Sequence, residues 1–143
     1  MEKIISMKNI YKLIIFGLLC CLAAGACSQT PKEVYNELRM KNVLYPKIVL
    51  AQSILETGWF KCEYCSLSKN NLFGLWNSKQ QKYFEYDDWR ESIDGYLSSI
   101  QYKYHPRKYS SYYDFLKRIG YASDPKYISK LKSIVKKINE EII

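Results

Sequence analysis

Residues 46–59 run Pro46-Lys47-Ile48-Val49-Leu50-Ala51-Gln52-Ser53-Ile54-Leu55-Glu56-Thr57-Gly58-Trp59. Proline at a first helical position presets φ and gives up only an N–H that has no partner there, so a helix is expected to open at Pro46. Ile48, Ala51 and Leu55 recur at helical spacing, and Val49, Leu50 and Ile54 fill the positions beside them. Such a helix is apolar nearly all round and must be surrounded, so the other elements should pack about it. Glu56 closes the run just before Thr57-Gly58, which puts a carboxyl at the tip of an apolar helix.

Working outward, Thr30-Pro31-Lys32-Glu33 combines a capping box with Pro at the first helical position and predicts a helix from Pro31 to about Lys41. After the polar, irregular stretch from Trp59 to Asn71, the β-prone runs Leu72 to Trp76 and Lys82 to Tyr86 flank Asn77-Ser78-Lys79-Gln80-Gln81 and predict a small hairpin. Alternation along its second run would set Tyr83 and Glu85 on one face, Phe84 and Tyr86 on the other. Asp88 with Glu91 caps a long helix carrying Trp89, Ile93, Tyr96, Leu97, Ile100 and Tyr104 on one face, expected to end at His105-Pro106. Ser111 with Asp114 begins a short helix through Arg118, which Gly120 can stop in the left-handed conformation. Asp124-Pro125 starts the last helix, with Ile128, Leu131, Val135, Ile138 and Ile142 inward and Lys130, Lys132, Lys136 and Lys137 in water. The fold class is therefore mainly α (α+β): a single domain of about five helices with a small β-hairpin.

A chain of 143 residues has room for one core and calls for a single site. Hydrophobic residues at 48% and charged residues at 25% are ordinary for a globular domain and argue against disorder. Fourteen tyrosines and three tryptophans are more than so small a core can bury, so some should line a wet groove suited to stacking on sugar rings. The formal charge of +8 falls to +6 when Glu2, Lys3, Lys8 and Lys12 are set aside, a balance that favours polyanions. The lysines of the last helix and of residues 103–108 read as solvated faces. With an export signal in front, nucleic acid is not expected as a partner.

That signal occupies residues 1–27, where basic residues precede the apolar run Leu13 to Leu22 and the small residues Ala23 to Ala26. The apolar run is short for a bilayer of ~30 Å, which favours processing over a membrane span. Leu22-Ala23-Ala24-Gly25-Ala26-Cys27 resembles a bacterial lipoprotein signal, which implies lipidation of Cys27 and a membrane anchor. Ala24 stands where such signals usually carry Leu, and Ala24-Gly25-Ala26 also suits ordinary signal peptidase. Cys62 and Cys65 form a lone C-x-x-C, either a local disulfide or two free thiols. A zinc site would need two more ligands, and the single histidine, His105, is distant and reads as a helix-end residue, so no metal is expected.

A carboxyl set against Thr57-Gly58-Trp59-Phe60 should be partly desolvated, and desolvation raises its pKa. An acid that stays protonated near neutral pH is what glycosidic cleavage requires, because the leaving oxygen must receive a proton as the bond breaks.

Ala51 to Trp59, then Asn70-Asn71-Leu72-Phe73-Gly74-Leu75, then Gly120-Tyr121-Ala122-Ser123-Asp124-Pro125-Lys126-Tyr127 resemble, in this order, the successive motifs of the bacterial glucosaminidase domain, glycoside hydrolase family 73. The resemblance runs from about Val34 to Lys137, within a domain of residues 28–143. It implies a lysozyme-like fold and an endo-β-N-acetylglucosaminidase that cleaves the β-1,4 bond after N-acetylglucosamine in peptidoglycan, with no cofactor, acting as a monomer. Glu56 matches the catalytic acid and Tyr121 the active-site tyrosine. Trp59, Asn71, Phe73 and Tyr127, which fall in the same motifs, are implied for substrate binding. Many members carry a second Glu on the hairpin, and residues 77–82 hold no acidic residue. Either Glu85 activates water, as an inverting partner roughly 6.5–9.5 Å from the acid, or the acetamido group of the substrate is the nucleophile. A lytic transglycosylase and a glycan-binding adaptor without turnover are the rival readings.

Overall fold

The computed structural model describes residues 29–142, so the predicted signal and Cys27 lie outside the described residues. Helix α1 spans Pro31–Met40 and α2 spans Pro46–Glu56. Thr30 caps α1 as its sequence predicts: the Glu33 N–H donates to Thr30 Oγ1 at 3.2 Å, and the Thr30 N–H donates to Glu33 Oε2 at 2.8 Å. Six successive residues of α2, Val49 to Ile54, are buried. That is what a helix without a polar face demands, and α2 is enclosed by α1 on one side and by the last helix on the other.

Strands β1 (Trp76–Asn77) and β2 (Lys82–Tyr83) pair antiparallel, with Trp76 opposite Tyr83 and Asn77 opposite Lys82. The hairpin is shorter than its β-prone runs. Buried Asn71 takes over the backbone groups that a longer ladder would have used: its Oδ1 accepts from Phe73 N (3.3 Å) and Leu75 N (3.0 Å), and its Nδ2 donates to Leu75 O (2.9 Å) and Phe84 O (3.0 Å). Residues 72–75 are thus a buried loop that Asn71 holds from within. Because β2 ends at Tyr83, strand alternation does not extend to Glu85.

Helix α3 is Trp89–Ser99, capped by Asp88 Oδ1 accepting from Arg90 N at 2.8 Å. It stops six residues before His105. The Ser98 and Ser99 hydroxyls both donate to the Gly95 carbonyl, a local competition that weakens the last turn. The chain then enters a 3-10 turn, Gln101–Lys103, where the Gln101 side chain is clamped by both backbone groups of Leu44. Helix α4 is Tyr112–Arg118, capped by Ser111 and followed by Gly120 at φ +64°. Helix α5, Tyr127–Glu141, starts two residues later than Asp124-Pro125 suggests, because those residues form its entry turn: Asp124 Oδ1 accepts from Lys126 N at 2.8 Å and Asp124 O from Tyr127 N at 3.0 Å. Leu131 and Ile138 are fully buried, while Ile128, Val135 and Ile142 pack against the core edge. The result is a mainly helical domain with one two-stranded sheet, the predicted fold class.

Cys62 and Cys65 stand as two free thiols, not a disulfide; the Cys65 thiol donates to the Cys62 carbonyl at 3.7 Å.

Candidate active site

The tip of α2 is closed by three left-handed residues in succession, Gly58 (φ +54°), Trp59 (φ +61°) and Phe60 (φ +60°). Trp59 N reaches back to Ile54 O at 2.9 Å, the six-to-one bond of a Schellman motif, and fully buried Thr57 ties off the end by donating to Ser53 O at 2.6 Å. Only glycine takes such a φ without cost, so the turn after Glu56 is held by its surroundings. It sends the chain away at once and leaves the Glu56 carboxyl in a cleft wall.

Two clefts meet at Glu56 and Tyr121. One is lined further by Phe73, Gly74, Trp76 and Lys103, the other by Leu55, Asp124, Tyr127 and Lys130. Glu56 Oε1 accepts from the Tyr127 hydroxyl at 3.0 Å. Its Oε2 faces Gly74 so closely that a Cβ there would lie 3.2 Å away, and Gly74 itself is at φ +61°. Burial raises the Glu56 pKa above the ordinary carboxyl value, and the Tyr127 hydrogen bond only partly offsets it. The carbonyl end of α2 adds to this, since the negative end of a helix disfavours a carboxylate.

Tyr121 donates its hydroxyl proton to the Phe73 carbonyl at 2.8 Å, and its ring leans against Tyr127 with centroids 5.7 Å apart. Burial and the negative charge of Glu56 push both phenols far above their usual range, so both are protonated at any physiological pH. Tyr127, expected to bind substrate, is therefore the tyrosine bonded to the acid, and Tyr121 stands behind it against the loop.

The other expected residues are distributed unevenly. Phe73 lines the cleft, with its ring packed 4.6 Å from that of Tyr96. Asn71 is fully buried and holds from within the loop that carries Phe73 and Gly74. Trp59 is half-buried against the core and lines neither cleft. Glu85 is exposed, paired with Lys69 at 3.2 Å, and lines neither cleft that holds Glu56. The carboxylate that does share a cleft with Glu56 is Asp124, and both its oxygens are engaged: Lys130 at 2.6 Å and the Lys126 N–H at 2.8 Å hold it ionised.

Two residues of the site escaped the sequence reading. Trp76, half exposed, presents its indole to the cleft and is braced edge-on by Tyr83 at 5.2 Å; an aromatic just past Gly74 was its only signal. Gln52, the one amide within the apolar run of α2, lies one turn before Glu56 on the same side of the helix.

A helical frame around a buried central helix, with a desolvated carboxyl at its tip where two clefts join, defines a lysozyme-like domain. Residues 32–140 match the glucosaminidase family, described as mannosyl-glycoprotein endo-beta-N-acetylglucosaminidase, and the chain belongs to that family of glycoside hydrolases. In fold it is similar to the catalytic domain of the autolysin Auto from Listeria monocytogenes, at 20% identity over 96% of this chain and 97% of that one, with a TM-score of 0.51. No curated protein matches the chain in sequence.

Proposed function

We propose that the domain hydrolyses the β-1,4 bond after N-acetylglucosamine in peptidoglycan, with Glu56 as general acid. One observation carries this reading: a carboxyl whose burial favours its protonated form, hydrogen-bonded by Tyr127, at the junction of two clefts that share Glu56 and Tyr121. A glycan laid along that groove would bring its linking oxygen over Glu56, which gives up its proton as the bond to the anomeric carbon breaks. Neither cleft offers a free second carboxylate, since Asp124 is doubly engaged and Glu85 is paired elsewhere. The acetamido oxygen of the substrate is then the nucleophile: it closes on the anomeric carbon, and water, deprotonated by Glu56, reopens the ring. Tyr127, at the rim of this reaction, is suited to hold the acetamido group.

The same single-acid site favours one second reading, a lytic transglycosylase, in which an internal hydroxyl replaces water. Digestion of purified peptidoglycan followed by mass spectrometry separates the two. Reducing N-acetylglucosamine ends are the expected product, anhydro-muropeptides would mean transglycosylation, and no product at all would leave a binding adaptor. With Glu56→Gln, turnover should drop ~10²–10⁴-fold while the glycan is still bound; an active variant would sink the assignment.

Such a substrate lies outside the cytoplasmic membrane, so residues 1–27 fit here as an export signal and Cys27 as a lipid anchor in the cell envelope. Intact-mass measurement of the processed protein tests both: an added diacylglyceryl on Cys27 is expected, and an unmodified or uncleaved N-terminus would remove the anchor from this account.

A further inference from the structure

Gln52 is fully buried, and its Oε1 accepts the Tyr96 hydroxyl at 2.6 Å. Its Nε2 is the buried side-chain polar atom without a hydrogen bond of good geometry among the described residues. A buried N–H left unpaired is costly, so a side chain with no further role here would be apolar, like its neighbours in α2. The amide lies near two further hydroxyls, those of Tyr121 and Tyr127, and slightly opposes the rise that burial gives both phenols, while making a hydrogen bond of good geometry to neither. These are the two tyrosines stacked beside Glu56.

The orientation of that amide is fixed by a chain of donors running in from the other side of the core. The backbone of Leu44 clamps Gln101, and Gln101 Nε2 donates to the Tyr112 hydroxyl at 3.0 Å. The hydroxyls of Tyr112 and Tyr96 lie 2.8 Å apart. Each phenol has one proton, and that of Tyr96 is on Gln52, so Tyr112 donates to Tyr96. Turning the amide over would leave one of the two phenol protons without an acceptor. With Oε1 thus committed to Tyr96, Nε2 is turned away from Tyr96, and its N–H groups are left for other acceptors.

We infer that Gln52 is a positioning residue for the catalytic acid: held by Tyr96, it presents N–H to the Tyr121 and Tyr127 oxygens, so that Tyr121 directs its proton to the Phe73 carbonyl and Tyr127 directs its proton to Glu56. An oxygen that accepts an N–H makes its own O–H a better donor. The bond from Tyr127 to Glu56 is therefore strengthened from a residue with no surface in the groove. The titratable groups facing Gln52 are Tyr96 from α3, Tyr112 from α4, Tyr121 from the loop before α5, Tyr127 from α5 and, on its own helix, Glu56. This role rests on the hydrolase reading above, but its test does not depend on that reading alone.

Gln52→Met keeps the length and removes both hydrogen-bonding atoms. It should lower kcat on peptidoglycan about tenfold with KM within about twofold, and move the alkaline limb of the pH profile upward, because Glu56 loses support for its ionised form. Gln52→Glu should behave oppositely. Protonated, its carboxyl offers an acceptor to Tyr96 and an O–H to the tyrosines, so its activity relative to the natural protein should recover toward pH 5 and fall as that carboxyl ionises. Should either variant fail to fold by circular dichroism, Tyr96→Phe releases the amide without altering the groove and should cut kcat several-fold at unchanged KM. Carbon-13 NMR of the Glu56 carboxyl gives a readout free of activity, and its titration should move up in Gln52→Met. An unmoved titration, or wild-type kcat in Gln52→Met and Tyr96→Phe alike, overturns the inference; an inactive natural protein with a moved titration would instead count against the hydrolase reading while leaving Gln52 in place.

Discussion

The two clefts that meet at Glu56 are built by different parts of the chain and in different ways. The cleft toward α5 is walled by ordered, mutually satisfied groups: Tyr127 on Glu56 at 3.0 Å, and Lys130 on Asp124 at 2.6 Å. The cleft toward the hairpin carries more exposed groups along its wall. Trp76 is 49% exposed on a two-residue strand, and Lys103 lies over the Tyr102 ring at 5.5 Å with no ion pair among the described residues. Preorganised dipoles lower barriers, whereas exposed aromatic faces and free cations grip a ligand. On the proposed function, the difference predicts chemistry on the α5 side and hold on the glycan on the hairpin side. Substitutions on the first should then appear in kcat and on the second in KM.

The largest effect within this division is expected where the two sides touch. Gly74→Ala places a methyl 3.2 Å from Glu56 Oε2 at a backbone φ of +61°, so either the carboxyl or the loop must shift. Misplacement of a catalytic group by about an ångström costs roughly a hundredfold in rate, and the left-handed alanine should cost about 1 kcal/mol in thermal unfolding. Near-natural turnover would mean that Glu56 Oε2 is not the oxygen that delivers the proton. Tyr127→Phe comes next, with kcat down about tenfold, the worth of one buried hydrogen bond. A group that must be protonated is fully competent below its pKa and fails as pH rises through it. The Tyr127 bond lowers the Glu56 pKa, so its loss should carry the alkaline limb to higher pH. A limb that moves down, or a change confined to KM, would break the assignment of this side to chemistry.

What could be read from the chain and what could not divides along similar lines. The ends of α2 were legible because Pro46 and Thr57-Gly58 act through neighbouring atoms, and the place of Glu56 followed from them. So did the caps at Thr30 and Ser111. The early end of α3 was not legible, because Gln101 is clamped by Leu44 from 57 positions away in sequence. Nor was the short hairpin, since nothing local says that Asn71 will face inward and take the backbone bonds of residues 73–75. Gln52 read as a polar residue tolerated in an apolar run. Its partner Tyr96 is 44 positions distant, and Tyr121 and Tyr127 are farther still. The acid was written locally, and the groups that steer it were written across three other elements.

Trp76→Ala should raise KM about three- to tenfold, the worth of one aromatic stacking face, and leave kcat nearly unchanged. Initial rates across a range of soluble glycan concentrations decide it, and a loss in kcat instead would make the indole part of the proton-delivery geometry.

Lys103 gives the smallest effect and the sharpest test of how the hairpin side grips its ligand. Lys130, in the other cleft, is paired with Asp124, so among the described residues lining the two clefts Lys103 is the cation without an ion pair. Peptidoglycan bears carboxylates on the peptides attached to alternate sugars, whereas a chitin oligomer bears none. An exposed lysine facing such an acid contributes ~0.2–1 kcal/mol and is screened by salt. Lys103→Ala should therefore raise KM about two- to threefold on peptidoglycan at low ionic strength, lose that effect by ~0.5 M salt, and change nothing on chito-oligosaccharides at either. Lys130→Ala should show no such dependence on substrate charge. Equal losses on charged and neutral glycans would mean that Lys103 shapes the groove through its alkyl stem, and the hairpin side would then grip by surface contact alone.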